Sequence, residues 1–86
     1  MSRRLVVRPQ ARLELADACD WYDAHDKGLG DELIEAFVKA TQSIAENPFQ
    51  YQTIRREYRR VLPGKYPFCL IYAVRGDDVV VFSCFH

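Results

Sequence analysis

From Thr53 to the last residue, the pattern of large and polar positions resolves into three runs that read as β-strands. Residues 54–62 (IRREYRRVL) alternate large and charged side chains, 66–74 (YPFCLIYAV) are almost wholly apolar, and 79–85 (VVVFSCF) are rich in β-branched and aromatic residues. Pro63-Gly64 and Gly76-Asp77-Asp78 punctuate the runs as hairpin-type connections, which predicts a three-stranded antiparallel meander. Side chains alternate with period two along a strand, so Phe68, Leu70, Tyr72 and Val74 share one face of the middle strand, and Cys69, Ile71 and Ala73 share the other. The last strand repeats this, with Val79 and Val81 opposite Val80, Phe82 and Cys84. Both faces are apolar, and a sheet of that kind needs a cover on each.

Upstream the period changes. Residues 3–7 (RRLVV) form a short strand candidate closed by Arg8-Pro9, where proline suits the first turn of a helix. A helix to about Asp26 follows, with Ala11, Leu15, Ala18, Cys19 and Tyr22 on one face, flanked by Trp21 and His25. Leu13 lies nearly opposite that face, as a surface leucine or as part of a contact with another chain. Gly28-Leu29-Gly30 stops the helix, and Asp31-Glu32 place negative charge where the dipole of a second helix favours it. Leu33, Phe37, Ala40 and Ile44 make the stripe of that second helix, widened by Ile34, Val38 and Ala45, and Asn47-Pro48 ends it after Glu46. The pattern therefore predicts an α+β domain spanning 1–86. A helical hairpin packs on a mainly antiparallel four-stranded sheet made of the amino-terminal strand and the meander.

Two helices of about 16 residues are each about 24 Å long and together cover roughly 20 Å, the width of about four strands. That is enough for one face of the sheet. The other face has no cover within the chain, which predicts a second polypeptide there, as an amphipathic helix or an added strand.

Composition narrows the function. The 86 residues carry no net charge, yet residues 1–52 hold six Lys and Arg against nine Asp and Glu, whereas 53–86 hold six against three. A basic sheet in a neutral chain points to a local anionic target or an acidic partner and argues against bulk non-specific nucleic-acid binding. No apolar run reaches the 18 or so residues of a membrane span, and the opening MSRRLVVRPQ lacks a signal-peptide core, so a cytoplasmic protein without membrane contact is expected. Cys19, Cys69 and Cys84 are odd in number and widely spaced, and they read as small core residues. His25 has no second ligand at metal spacing, so neither a metal nor another cofactor is expected. Arg75-Gly76-Asp77 reads as a hairpin turn.

Trp21-Tyr22, Gly28-Leu29-Gly30, Ile44 with Asn47-Pro48, Tyr51, Arg60, and Tyr66-Pro67-Phe68 followed by Tyr72 occur in an order and spacing that resembles the RelE/ParE superfamily of bacterial toxins, closer to its ParE-like members. The resemblance covers almost the whole chain and implies a β-α-α-β-β-β fold. It also implies the toxin of a type II toxin-antitoxin, or plasmid stabilisation, module, held in check by a ParD-like antitoxin from the adjacent gene in a higher-order assembly. ParE-like members poison DNA gyrase and arrest growth. RelE-like members cut messenger RNA in the ribosomal A site, and a degenerate member would bind antitoxin alone.

Under the gyrase reading no catalytic residue is expected, and Arg56, Tyr58 and Arg60 are the target-binding candidates. Metal-free RNA cleavage would instead need a base for the ribose 2′-OH, an acid for the leaving oxygen and cations around the transition state. Arg60, Glu57 and His86 are the candidates for those tasks. The resemblance implies that in many relatives the histidine at the position of His86 is followed by an arginine and a proline-containing tail, and that RelE-like nucleases draw an arginine and a tyrosine from there, although some short nucleases end close to this point; in this sequence those positions are absent. Arg55 and Arg59 read as charges that keep an edge strand soluble. Leu13, Phe68, Leu70 and Tyr72 are the antitoxin-binding candidates.

Overall fold

In the computed structural model, which describes residues 3–64 and 67–85, the chain runs β1 (Arg4–Val7), α1 (Pro9–His25), α2 (Leu29–Glu46), one 3-10 turn (Pro48–Gln50), β2 (Thr53–Arg55), β3 (Tyr58–Val61), β4 (Cys69–Arg75) and β5 (Asp78–Phe85). The strands form one mixed sheet in the order β1-β5-β4-β3-β2. The α+β architecture and the antiparallel meander β3-β4-β5 are as the pattern predicts, but the sheet has five strands where four were expected. The run 54–62 folds back on itself. Arg56 takes a left-handed φ of 53°, and Thr53 pairs with Arg59 and Arg55 with Tyr58 across a tight reversal. Such turns usually advertise themselves with glycine or asparagine, and an arginine there gives no signal.

β1 lies beside β5 and runs parallel to it, in a register that sets Leu5 against Val79 and Val7 against Val81. Parallel neighbours need a long crossover, which the helical hairpin begins. The Arg4 guanidinium grips both oxygens of Asp78 at 3.1 and 2.8 Å, at the first residue pair of that register. This fork holds the Asp78 carboxyl below the usual carboxylate range. Both groups are at the surface, so the pair fixes alignment more than it adds stability.

Both helices pack on the same side of the sheet. Ala11, Ala18 and Tyr22 of α1 and Leu33, Phe37, Ala40 and Ile44 of α2 meet Val61, Phe68, Leu70, Tyr72, Val79, Val81 and Cys84 in one buried cluster. The small alanines let α1 approach the sheet. Ile34 and Val38 do not widen the α2 stripe as expected; both are exposed, and buried Thr41 and half-buried Ala36 lie on the stripe instead. Thr41 is tolerated there because its hydroxyl donates to the Val38 carbonyl one turn back, at 2.8 Å.

The Gly-Leu-Gly stretch joins the two helices at close quarters. Gly28 sits at φ 95° immediately before α2. The Gly30 amide donates to Asp23 Oδ1 at 2.7 Å, and a β-carbon on Gly30 would lie 2.5 Å from an oxygen of that carboxylate. Gly28→Ala forces a side chain into a left-handed conformation and should cost about 1–2 kcal/mol, read as a lower urea midpoint with an unchanged slope.

Candidate functional site

The outer face of the sheet, away from the helices, gathers the charged chemistry. Tyr58 and Arg60 point there because their neighbours Arg59 and Val61 alternate to the helical side, where Val61 joins the core. Cross-strand register places Arg60 opposite Ile71, Ala73 opposite Val80, and Arg75 opposite Asp78. A bulge between Ile71 and Tyr72 leaves Phe82 outside the pairing, and its ring meets Tyr58 edge-on at 5.4 Å.

Two guanidiniums then stack on Phe82, Arg75 at 5.3 Å and Arg8 at 5.5 Å from the ring centre. Arg75 also lies over the Tyr58 ring at 5.7 Å, donates to the Tyr58 hydroxyl at 3.1 Å and pairs with Glu57 at 3.4 Å. Stacking of this kind holds a guanidinium in place with its charge still presented to solvent. The result is a basic and aromatic cluster of Arg8, Tyr58, Arg60, Arg75 and Phe82, with Glu57 as its acidic member.

Arg59 is placed differently. It lies over the Phe49 ring at 5.2 Å and donates to the backbone carbonyls of Phe49 and Tyr51, so it braces the segment after α2 instead of serving as an edge-strand charge. Arg56 occupies the β2–β3 turn and does not share a strand face with Tyr58 and Arg60, because the chain reverses there. Arg55 is exposed on β2.

Phe68, Leu70 and Tyr72, expected to offer an antitoxin surface, have no exposed area. Period two identifies the residues that share a face, but it does not say which of two apolar faces the helices will take. Leu13 is 65% exposed on α1. His86, Lys65 and Tyr66 lie outside the described residues. His25 Nδ1 is 2.8 Å from the Trp21 carbonyl oxygen, and its ring stacks on Trp21 at 4.0 Å. Burial pushes the Cys84 thiol up to about 12, with Glu14 adding to the shift, and burial raises the thiols of Cys69 and Cys19 as well. Thiols so shifted stay protonated at neutral pH and are poor nucleophiles.

Sequence reasoning passed over Arg8, Arg75 and Phe82. A signal existed in the hairpin at Gly76-Asp77, which sets Arg75 beside Asp78 and so places it on the face of Ile71 and Ala73.

Comparison with known proteins decides the family. The profile of the ParE toxin of the type II toxin-antitoxin system, parDE, matches residues 5–86. The chain belongs to that family. A search of curated proteins returns no match. Among solved structures, the toxin resembles a chain of the chromosomal ParDE toxin-antitoxin system from P. aeruginosa, with a TM-score of 0.85 at 13% identity over 99% of this chain and 96% of that one. It also resembles a chain of the RelBE2 toxin-antitoxin complex from Mycobacterium tuberculosis, with a TM-score of 0.74 at 16% identity over 100% and 99% of the two chains. At such identities the likeness speaks for the fold, and the profile match carries the family.

The buried Tyr72 of the toxin has a structural task. Its hydroxyl donates to the Pro48 carbonyl at 2.6 Å, and its ring meets Tyr51 edge-on at 6.4 Å, tying the middle of the sheet to the end of α2. Burial pushes the phenol up to about 12. The fold thus favours the neutral form, so this contribution is complete below pH 10, the ordinary phenol value, and is lost as pH rises toward 12. Tyr72→Phe should cost about 1–3 kcal/mol at pH 7, because the Pro48 carbonyl loses its partner. Urea titrations between pH 9 and about pH 12 should show a shallower decline for this variant than for the parent chain.

Proposed function

We propose that the toxin is neutralised by a cognate ParD-like antitoxin, binds DNA gyrase and inhibits it as a ligand, without cutting RNA. The observation that carries this reading is the match of residues 5–86 to the ParE toxin profile. The outer sheet face is the binding surface, with Tyr58 and Arg60 on β3 and Arg56 at the adjoining turn.

The chemistry of that face supports binding over cleavage. Arginine stays protonated, which leaves Glu57 and Tyr58 as the described acid-base candidates beside Arg60. Both are engaged by Arg75. The Glu57 carboxylate faces the Arg75 guanidinium, and the Tyr58 hydroxyl oxygen already accepts a hydrogen bond from it. The second reading, a ribosome-dependent messenger RNA endonuclease, draws its support from the same guanidinium and aromatic cluster, whose chemistry suits phosphates and a stacked base. A degenerate member that only binds antitoxin is the third.

Supercoiling by purified gyrase, with the toxin freed from antitoxin, tests the proposal. Inhibition with accumulation of cleaved DNA complexes is the expected result. No effect at well above stoichiometric toxin, together with mapped cuts in a translation extract, would transfer the function to the nuclease reading. Arg60 is exposed and makes no ion pair among the described residues, so Arg60→Ala should leave the melting temperature unchanged and reduce gyrase inhibition at least about tenfold. Full inhibition by a folded Arg60→Ala would remove this residue from the target contact.

A further inference from the structure

We propose that the free chain associates with further copies of itself head to tail, the basic outer face of the sheet in one copy resting on the acidic helical layer of the next. The contact depends on surface chemistry alone and on no assignment of target or antitoxin.

The two broad sides of the molecule are complementary in charge. On the sheet side Arg8 and Arg60 are exposed and have no ion-pair partner among the described residues, while the nearby carboxylates Asp78 and Glu57 are taken by Arg4 and Arg75. On the helical side Asp17 and Asp20 of α1 and Asp31 and Glu35 of α2 are exposed, and they too lack an ion-pair partner among the described residues. The carboxylates of the two helices converge. Burial raises the Cys19 thiol, and Asp23 and Asp20 from α1 and Asp31 from α2 all raise it further. Residues 1–52 carry nine acidic side chains against six basic ones and residues 53–86 three against six, so the chain is polarised yet has no net charge. Net neutrality removes the long-range repulsion between copies, and the polarity favours contact between unlike faces.

Both sides are also partly apolar. Val6, Ile71, Val80 and Phe82 are half-buried on the sheet, where Val6 lies beside Val80 and Val80 beside Ala73 of the strand that carries Ile71. Leu13, Ile34 and Val38 are exposed on the helices and take no part in the buried cluster. The molecule extends 38 × 23 × 21 Å, so a broad side matches the area, about 800 Å² per partner, that a standard specific interface uses.

The surface that one copy offers differs from the surface that it receives. Such a heterologous contact does not close at two copies, and association continues as concentration rises. Tyr58 and Arg60 lie on the covered face, so it is presented by single copies and by one end of an assembly.

Sedimentation velocity of the purified chain between about 5 and about 500 μM, in about 50 and about 500 mM salt, tests the contact. The expected mass climbs past two copies with concentration at low salt, with an association constant at least about tenfold lower at high salt. Arg8→Glu/Arg60→Glu and Asp17→Lys/Asp20→Lys should each weaken association at least about tenfold. All four positions are exposed, and melting temperatures check that the variants fold. Arg55→Glu/Arg56→Glu, at the β2 edge of the sheet and with the same net charge as the first variant, should stay close to the parent. A chain that carries both reversals is again neutral and complementary, and should associate as the parent does. The proposal is overturned by a parent that stays monomeric across the low-salt series, or by a mass that stops at two copies; neither result needs a variant. Equal losses in the edge control and in Arg8→Glu/Arg60→Glu would reduce the effect to net charge and overturn the assigned face. A folded chain with both reversals that remains monomeric would do the same.

Discussion

One layer of helices on a sheet with two apolar faces is the constraint from which the rest of this molecule follows. Leu70, Tyr72, Val79 and Val81 enter the core because α1 and α2 close over them, and Tyr72 fixes that closure through the Pro48 carbonyl. The opposite face has no second helical layer among the described residues. Its exposure is moderated by stacking, as Arg8 and Arg75 lie across Phe82, and Arg75 spans the gap to Tyr58. Guanidiniums perform this task at low desolvation cost because they are weakly hydrated and planar, and they leave the face basic.

The meander, the two helices and the stop at Gly28-Leu29-Gly30 were legible because each rests on a local rule of periodicity or backbone freedom. The β2–β3 reversal was not, since Arg56 adopts a conformation that its side chain does not advertise. The place of β1 beside β5 depends on long-range pairing, for which the run Arg3 to Val7 carries no register of its own. The site was half legible. Tyr58 and Arg60 share the outer face as strand alternation requires, but Phe68, Leu70 and Tyr72 were assigned to the exposed side when they belong to the sealed one. That choice is made by which face the helices reach, a property of the connection between β1 and β2 and not of β4 itself. Arg59 looked like a solubilising charge until its backbone acceptors at Phe49 and Tyr51 were seen.

Membership of the ParE toxin family gives this architecture a use. The toxin of a type II toxin-antitoxin module acts through contact with other macromolecules, and a small domain that keeps one sheet face half-buried and basic has surface left for such contact. Arg56 holds a left-handed conformation in the β2–β3 turn, which costs some stability.

Toxicity is tested most directly by inducing this chain alone, and then together with its cognate antitoxin, in a bacterial host while following growth and the amount of soluble protein. The account predicts arrest when the chain is made alone and recovery when the antitoxin accompanies it. Unimpeded growth at the same level of folded protein would contradict it.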